Sequence, residues 1–366
     1  SSLIVSHMQS LSNSPINTFT IGFNVPGYNE ANYAKEIAKY LGTNHTELYL
    51  TEKEAISTIP KLSEIWDEPF ADSSQIPTLL LSKLTKKSVS VALSGDGGDE
   101  IFCGYNRYSL GYKIFKNISK FPVNIRQIIS YLLTNIPVAK FDKNLSLLLG
   151  SKYPAIGDRS QKLGNVLNFT EDKFFYKSLV SCFQNPSDYL KNGIEPSTFL
   201  SNDTIWEQEL DYREIMMSLD IKTYLPDDIL VKIDRASMST GLESRVPFLD
   251  HELIEWAWKL PFDKKYKKGK TKWILRKVLY KYVPEKLIDR PKMGFGIPID
   301  QWLRGELKEW ASDLLSEESL AKSGVFNIPN VKKLWNEHQL QKRRWHHQIW
   351  SLLIFQSWYQ SKNFNL

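Results

Sequence analysis

Apolar and polar positions follow two periods in the first hundred residues. Short apolar or alternating runs predict strands at 17–23, 45–50 and 88–93. Apolar positions spaced three and four residues apart predict helices at the start of the chain and over 30–41, 56–66 and 78–84. Strands that alternate with helices are typical of a parallel sheet with crossover connections, so this part is predicted to be α/β.

The strand pattern fades after about Tyr105. The remaining sequence predicts mostly helices, which Pro and Gly residues interrupt. One of them is a packed C-terminal helix around the apolar run 350–355. The expected architecture is therefore an α/β part followed by a mostly helical part.

Composition narrows the class of protein. The chain has 366 residues, of which 42% are hydrophobic and 24% are charged, as in soluble globular proteins. The net charge of +6 is modest and its Lys and Arg residues are scattered, so nucleic-acid binding is not required. Cys103 and Cys182 are too few for a disulfide framework. No segment predicts a membrane span or a signal peptide, so we expect a cytoplasmic protein without a membrane partner.

The first candidate site follows the third predicted strand. Val89–Leu93 runs into the loop Ser94-Gly95-Asp96-Gly97-Gly98-Asp99-Glu100. Ligands of parallel sheets bind beyond the carboxyl ends of the strands, where glycines let the backbone approach an anion. Asp96, Asp99 and Glu100 are oxygen donors of the kind that Mg²⁺ prefers. A simple surface turn is the alternative, but three acids among three glycines favour a nucleotide and metal site.

A second cluster spans residues 225–250. Asp228, Lys232 and Arg235 share one face of a predicted helix, and Asp234 lies on a neighbouring face. Such a stripe is usually a solvated ion-pair surface. The apolar run 246–249 beside Glu243 and Arg245 favours partly buried, paired charges instead. The pattern alone leaves both interpretations open.

A third cluster, 290–298, contains two prolines and two glycines, which predict a loop that carries Lys292. A lysine on a loop that closes over a ligand could neutralise phosphate charge, although most loop lysines face water.

Two other motifs do not support their first interpretation. Lys268-Gly269-Lys270-Thr271 contains part of a Walker A loop, but the motif's first glycine would fall at Lys264 and no strand precedes it. The basic and aromatic run 341–347 is followed by an apolar helix pattern, which favours a packed helix over a nucleic-acid surface.

Together these segments resemble the synthetase domain of glutamine-dependent asparagine synthetases. The resemblance covers nearly the whole chain and rests on motifs in the family's order, at 19–23, 94–105, 225–250 and 290–298. It implies a doubly wound parallel sheet of the ATP-pyrophosphatase (adenine nucleotide alpha hydrolase-like) type. On this basis residues 1–366 form one synthetase domain, with an α/β nucleotide-binding core over 1–125 and a mainly helical part over 126–366.

The family's reaction implies a role for each matching residue. Aspartate attacks MgATP to form β-aspartyl-AMP and pyrophosphate, and ammonia then displaces AMP to give asparagine. By resemblance, Ile21, Ser94 and Gly95 contact adenosine, and Asp99 binds Mg²⁺. The same resemblance implies four catalytic positions: Lys292 on the phosphates, Asp96 where many relatives carry Glu, Asp234 as an acidic active-site position, and Glu243 in placing the acceptor or moving a proton.

The chain also departs from the family pattern. The family's first strand ends in a Ser-Gly-Gly-x-Asp-Ser loop around the pyrophosphate, to which only Ser1 could belong here. The N-terminal glutaminase domain is not in this sequence either. We therefore expect a fragment of a longer enzyme with impaired activity. Relatives commonly form homodimers.

Other functions share these motifs. A relative that amidates a sugar acid of surface polysaccharides, or closes a β-lactam ring, would handle ATP in the same way. A non-catalytic relative is disfavoured by Asp99 and Lys292. An RNA-modifying relative is disfavoured because the chain has neither paired cysteines nor a concentrated basic face.

Overall fold

The computed structural model describes residues 1–23, 30–136, 156–169, 171–206, 210–289 and 296–362. The chain forms two compact units. The first contains Ser1–Ser109 and Met216–Pro298, and the second contains Leu110–Ile215 and Ile299–Leu366. Each unit is therefore assembled from two separate stretches of sequence.

The described residues form both strands and helices. The strands are β1 (Asn17–Phe23), β2 (Asn44–Leu50), β3 (Val91–Leu93) and β4 (Glu243–Arg245). The helices up to residue 222 are α1 (Ser2–Leu11), α2 (Ala31–Leu41), α3 (Glu52–Ile56), α4 (Leu62–Ile65), α5 (Gln75–Lys86), α6 (Gly98–Ile101), α7 (Tyr112–Ile118), α8 (Val123–Asn135), α9 (Ile156–Val166), α10 (Asp172–Val180), α11 (Asp203–Trp206) and α12 (Tyr212–Lys222). Those that follow are α13 (Val231–Met238), α14 (His251–Lys259), α15 (Phe262–Lys265), α16 (Trp273–Leu279), α17 (Glu285–Ile288), α18 (Ile299–Trp302), α19 (Lys308–Leu314), α20 (Glu317–Ser323), α21 (Ile328–Gln339) and α22 (His346–Ser361).

Strands β1 and β2 pair in parallel and confirm the first two predicted strands. Ile21 lies opposite Leu48 in their register. Helix α2 connects them and ends at Gly42, whose φ of 71° is a conformation that glycine adopts without strain. The α/β class with parallel strands is therefore confirmed.

Strands β3 and β4 form a second parallel pair, in which Val91 lies opposite Glu243 and Leu93 opposite Arg245. The sequence did not predict β4, because Glu-Ser-Arg has no apolar alternation. Parallel pairing places the carboxyl ends of both strands at one edge. The loop that follows β3 therefore begins beside the segment that follows β4.

Apolar clusters hold each unit together. In the first unit, Phe102 and Phe248 are buried, and Leu3 of α1 packs against their cluster. In the second unit, Phe115 and Phe175 form a buried pair. Helix α22 buries a long apolar series in the second unit, which confirms the predicted packed C-terminal helix. Among the described residues, no helix combines the length and the apolar character that a membrane span requires.

Candidate functional site

The loop after β3 is held against the segment after β4. The Ser94 N–H donates a hydrogen bond to the Arg245 carbonyl over 2.9 Å. Gly97 has a φ of +77°, and a Cβ at this position would lie 2.5 Å from Cδ2 of Leu249. Only glycine satisfies both the backbone conformation and this close approach. Two motifs that lie far apart in the sequence are thus joined at one edge.

The start of the chain reaches the same loop. Gly95 packs so tightly against the backbone nitrogen of Ser1 that an added Cβ would collide with it. Ser1 immediately precedes α1. The Ser94 hydroxyl is buried and has no hydrogen-bond partner in the described part of the chain. A buried unsatisfied hydroxyl at a glycine-rich loop is a candidate ligand-binding group.

Two of the loop acids differ in their surroundings. Asp99 forms an ion pair with Lys272, with the Lys272 Nζ 2.9 Å from the Asp99 Oδ2. Gly104 packs against both side chains, so this ion pair is closely fitted. Asp96 is partly buried and forms no ion pair with the described residues. The described residues contain no cluster of three or more metal-ligating side chains. The donor set fits Mg²⁺ only if the ligand's own oxygens complete its coordination, as nucleotide phosphates do.

Glu100 does not fit the expectation that it is a metal donor. Its side chain is turned into the protein, where the residue is only 1% exposed. Its carboxylate accepts a hydrogen bond from the Tyr105 hydroxyl over 2.6 Å. Burial raises the pKa of Glu100 above its usual value. In this structure Glu100 is therefore a buried acid that contacts Tyr105 and not an exposed donor of the loop.

Next to Glu100 in the first unit, an arginine and three tyrosines form a cluster with the carboxylate of Asp220. The Arg107 guanidinium lies 4.1 Å from the ring centroid of Tyr105 and 4.8 Å from that of Tyr224. Arg107 also donates to Asp220 through Nε at 2.9 Å and Nη2 at 2.6 Å. The Tyr108 hydroxyl donates to the same carboxylate, which is buried. Stacking and two guanidinium hydrogen bonds to the same oxygen, Oδ2, together compensate the buried charge of Asp220.

Beyond Tyr224 lies a cluster of two carboxylates and one lysine. The Lys232 Nζ is 2.6 Å from Asp72 and 3.8 Å from Asp228. Burial and the nearby Asp72 raise the pKa of Asp228 to about 7. Burial alone would raise the pKa of Asp72 as well. The Lys232 ammonium group outweighs this effect and keeps the pKa of Asp72 below its usual value. The pKa values of the two acids are thus shifted in opposite directions, and both acids lie near the same lysine.

The structure divides the predicted polar stripe between two environments. Asp228 and Lys232 are partly buried and paired, as one interpretation proposed. Arg235 instead agrees with the prediction of a solvated ion-pair surface. It is exposed, and its Nη1 lies 3.5 Å from Oδ2 of the exposed Asp67. Asp72 was not predicted from the sequence as a member of this cluster. Its signal was the Asp-x-Ser pattern before α5, in which Asp72 accepts a hydrogen bond from the Ser74 N–H.

The other predicted residues are dispersed. Ile21 is buried on β1, in the other strand pair. Asp234 is exposed on α13. Glu243 pairs with Arg245 at 2.7 Å, but their side chains are 56% and 63% exposed, so the expectation of burial for these two charges is wrong. Lys292 lies outside the described residues.

Comparisons with known proteins agree on one family. Residues 1–360 match the model of the asparagine synthase family. The chain is 33% identical over 348 residues to asparagine synthetase (glutamine-hydrolyzing) 1 of Bacillus subtilis, which covers 94% of this chain and 52% of the relative. It is 30% identical over 347 residues to a putative asparagine synthetase of Mycobacterium tuberculosis, covering 93% of this chain and 50% of the relative. The chain spans about half the length of these curated relatives.

Proposed function

Since the chain belongs to the asparagine synthase family, we propose that it takes part in forming asparagine from aspartate, ATP and glutamine-derived ammonia. The observation that carries this proposal is the meeting of Ser1, the loop 94–98 and the segment 245–249 at one edge of a parallel strand pair. Such an edge is where α/β proteins bind nucleotides. We also propose that the two parallel pairs belong to a doubly wound sheet of the ATP-pyrophosphatase type.

The proposed reaction has two steps. The side-chain carboxylate of aspartate attacks the α-phosphorus of ATP, and the bond to the leaving pyrophosphate breaks. The product, β-aspartyl-AMP, is then attacked at its acyl carbon by ammonia, which expels AMP and releases a proton. Both steps require that two anions are brought together, that charge at phosphorus is neutralised and that water is excluded.

The loop residues are suited to hold the nucleotide. We propose that the buried Ser94 hydroxyl and the Gly95 backbone contact the nucleotide, with Ile21 supplying an apolar contact to adenosine. Asp99 would hold Mg²⁺, which would offset phosphate charge when bound. The remaining proposed catalytic residues are Asp96, Asp234, Glu243 and Lys292.

Asp228 is a further candidate for proton transfer. Its pKa of about 7 is close to the value at which a carboxylate can both accept and release a proton under neutral conditions. Tyr224, four residues before Asp228 in the sequence, packs edge-on against Tyr105, and the Tyr105 hydroxyl donates to Glu100 of the loop helix α6. We propose that Asp228 takes up the proton released when ammonia attacks the acyl carbon.

Isotope transfer tests the proposal directly. The longest natural reading frame that encodes this chain would be incubated with MgATP, ammonia and aspartate labelled with ¹⁸O in its side-chain carboxylate. We expect aspartate-dependent pyrophosphate, an equal amount of asparagine, and AMP that carries one labelled oxygen. A Lys292→Ala variant should retain the fold and lose pyrophosphate release.

The other outcomes are equally informative. Pyrophosphate release with a different carboxylic acid, but not with aspartate, would keep the mechanism and refute asparagine synthesis. Asparagine formed with unlabelled AMP would refute attack by the carboxylate. No turnover with any acid would refute a catalytic role.

A further inference from the structure

Helix α8 in the second unit turns its apolar side outward. Ile125, Ile128, Ile129 and Leu132 are spaced i, i+3, i+4 and i+7 and so form one stripe. These four residues are 46%, 62%, 41% and 54% exposed. A stripe of this kind normally faces a protein core, so here the usual orientation of an amphipathic helix is reversed.

The opposite side of α8 is polar and buried. Arg126 is 5% exposed and Ser130 is 4% exposed. Arg126 donates a hydrogen bond to the Phe169 carbonyl over 2.9 Å, and the Ser130 hydroxyl donates to the Gly164 carbonyl over 2.7 Å. Because these buried polar groups are paired across the contact with α9 and the residues after it, rotating α8 would break several hydrogen bonds. The outward orientation of the stripe is therefore built into the fold.

The sequence around this stripe is basic and lacks acids. Residues 110–136 contain three lysines, one arginine and no Asp or Glu. Lys113, Lys116 and Lys120 are exposed, and their spacing of three and four places them on one side of α7 and its following turn. Phe121, directly after Lys120, is 56% exposed. Exposed lysines and exposed apolar side chains thus follow one another directly along the chain.

We propose that this surface, the α7–α8 surface, binds the anionic face of a lipid bilayer. It consists of the stripe Ile125, Ile128, Ile129 and Leu132 together with Lys113, Lys116 and Lys120. Aliphatic side chains insert at the boundary between headgroups and acyl chains, while lysines remain at the anionic headgroups. The proposal departs from the sequence-based expectation of no membrane partner, which rested on the lack of a spanning segment. It is independent of the proposed function.

Charge favours lipid over two other occupants, a second copy of this chain and nucleic acid. A twofold contact with a second copy would bring two lysine clusters together without any acid in 110–136 to neutralise them. Nucleic acid would contact the lysines and the exposed rings of Phe121 and Tyr131, but it would leave the four aliphatic side chains of the stripe without an apolar partner. An anionic bilayer satisfies the lysines and the stripe at the same time.

Vesicle flotation tests the proposal with the complete chain. Vesicles of phosphatidylcholine alone would be compared with vesicles that contain 30% phosphatidylserine. The first variant, Lys113→Gln/Lys116→Gln/Lys120→Gln, should lower partitioning to the anionic vesicles roughly 100-fold, since each lysine contributes roughly fivefold. Its matched control is Lys308→Gln/Lys322→Gln/Lys333→Gln, which changes three other exposed lysines of the same unit.

The second variant, Ile128→Ser/Leu132→Ser, tests the stripe and should abolish partitioning. Its control is Ile194→Ser/Leu340→Ser, at residues that are 92% and 66% exposed in the same unit. Circular dichroism checks that every variant is folded. Equal binding to both vesicle types, or loss of binding in the controls, would overturn the proposal. So would a dimer that Ile128→Ser/Leu132→Ser dissociates in the absence of vesicle binding, or binding to single-stranded RNA without binding to vesicles.

Discussion

The Lys272 ammonium group lies 2.9 Å from the carboxylate of Asp99, the residue proposed to bind Mg²⁺. Lys272 has a φ of 52° and immediately precedes α16, and its backbone N–H donates to the Phe102 carbonyl over 3.2 Å. The lysine is therefore positioned by the backbone as a counterion for Asp99. When a nucleotide binds, Mg²⁺ would have to displace Lys272 from the Asp99 carboxylate or share that carboxylate with it.

A double-mutant cycle measures this competition. We expect Lys272→Met and Asp99→Asn to show a coupling of about 1 kcal/mol in urea unfolding, since both side chains are partly buried. MgATP should reduce the coupling, because Asp99 would then bind the metal. The exposed pair Lys322 and Glu318 is the control, for which we expect no measurable coupling. A coupling that MgATP leaves unchanged would argue against Asp99 as a ligand.

Asp228 should make stability depend on pH. Its pKa is about 7 in the folded protein, against an ordinary value of 3.8, so between these values the folded state binds more protons than the unfolded state. Stability from this group is therefore present below about pH 4 and is lost as the pH rises to about 7. Because 32% of the side chain is exposed, we expect a loss of about 1 to 2 kcal/mol.

The Asp228→Asn variant isolates that effect. Relative to the unmodified chain, it should gain stability as the pH rises from 4 to 7, and the difference should stay constant above pH 7. Urea unfolding at a series of pH values measures this difference. A difference that is independent of pH would show that Asp228 is ionised in the folded protein throughout this range.

Arg107 should be important for stability because it is the partner of a buried acid. Removing the guanidinium in Arg107→Met leaves Asp220 buried without its cation, which we expect to cost about 3 kcal/mol. Arg107→Lys should cost less, because it keeps the charge, although it loses the second hydrogen bond to Asp220 Oδ2 and the stacking on Tyr105. Thermal and urea unfolding measure both. Adding Asp220→Asn to Arg107→Met should restore part of the loss; no restoration would point to lost packing instead.

Gly97 and Gly324 form a matched pair that separates backbone strain from steric conflict. Both have positive φ values, 77° and 68°, but a Cβ at Gly324 meets nothing within 4 Å. Gly324→Ala should therefore cost only the strain of about 1 kcal/mol. Gly97→Ala adds a conflict with Leu249, so it should cost more and should weaken nucleotide binding, which equilibrium dialysis with MgATP measures. Equal costs at the two positions would contradict the close contact.

Much of the local structure was predictable from periodicity. The strand over 17–23, the helix that ends before Gly42 and the packed C-terminal helix all appear as expected. Their sequences repeat apolar residues with the period of the element, so burial of one face selects the structure. The loop after β3 was also predictable, because acids and glycines directly after a strand are unusual in a simple connection.

Other features depend on partners that are remote in sequence. Strand β4 forms only because Glu243–Arg245 meets β3, since its own residues have no apolar pattern. Asp72 and Lys232 are separated by 160 residues, and no local pattern encodes their 2.6 Å contact. Glu100 and Asp99 are neighbours in one loop, yet one is buried against Tyr105 and the other is paired with Lys272.

The sequence alone therefore established the α/β class, the order of the early elements and the position of the glycine-rich loop, because these follow from local periodicity and backbone conformation. The tertiary structure determined which charges are buried, which acid faces which cation and which side of α8 is exposed. These properties depend on desolvation and on distances between separate segments, and neither is a function of local sequence.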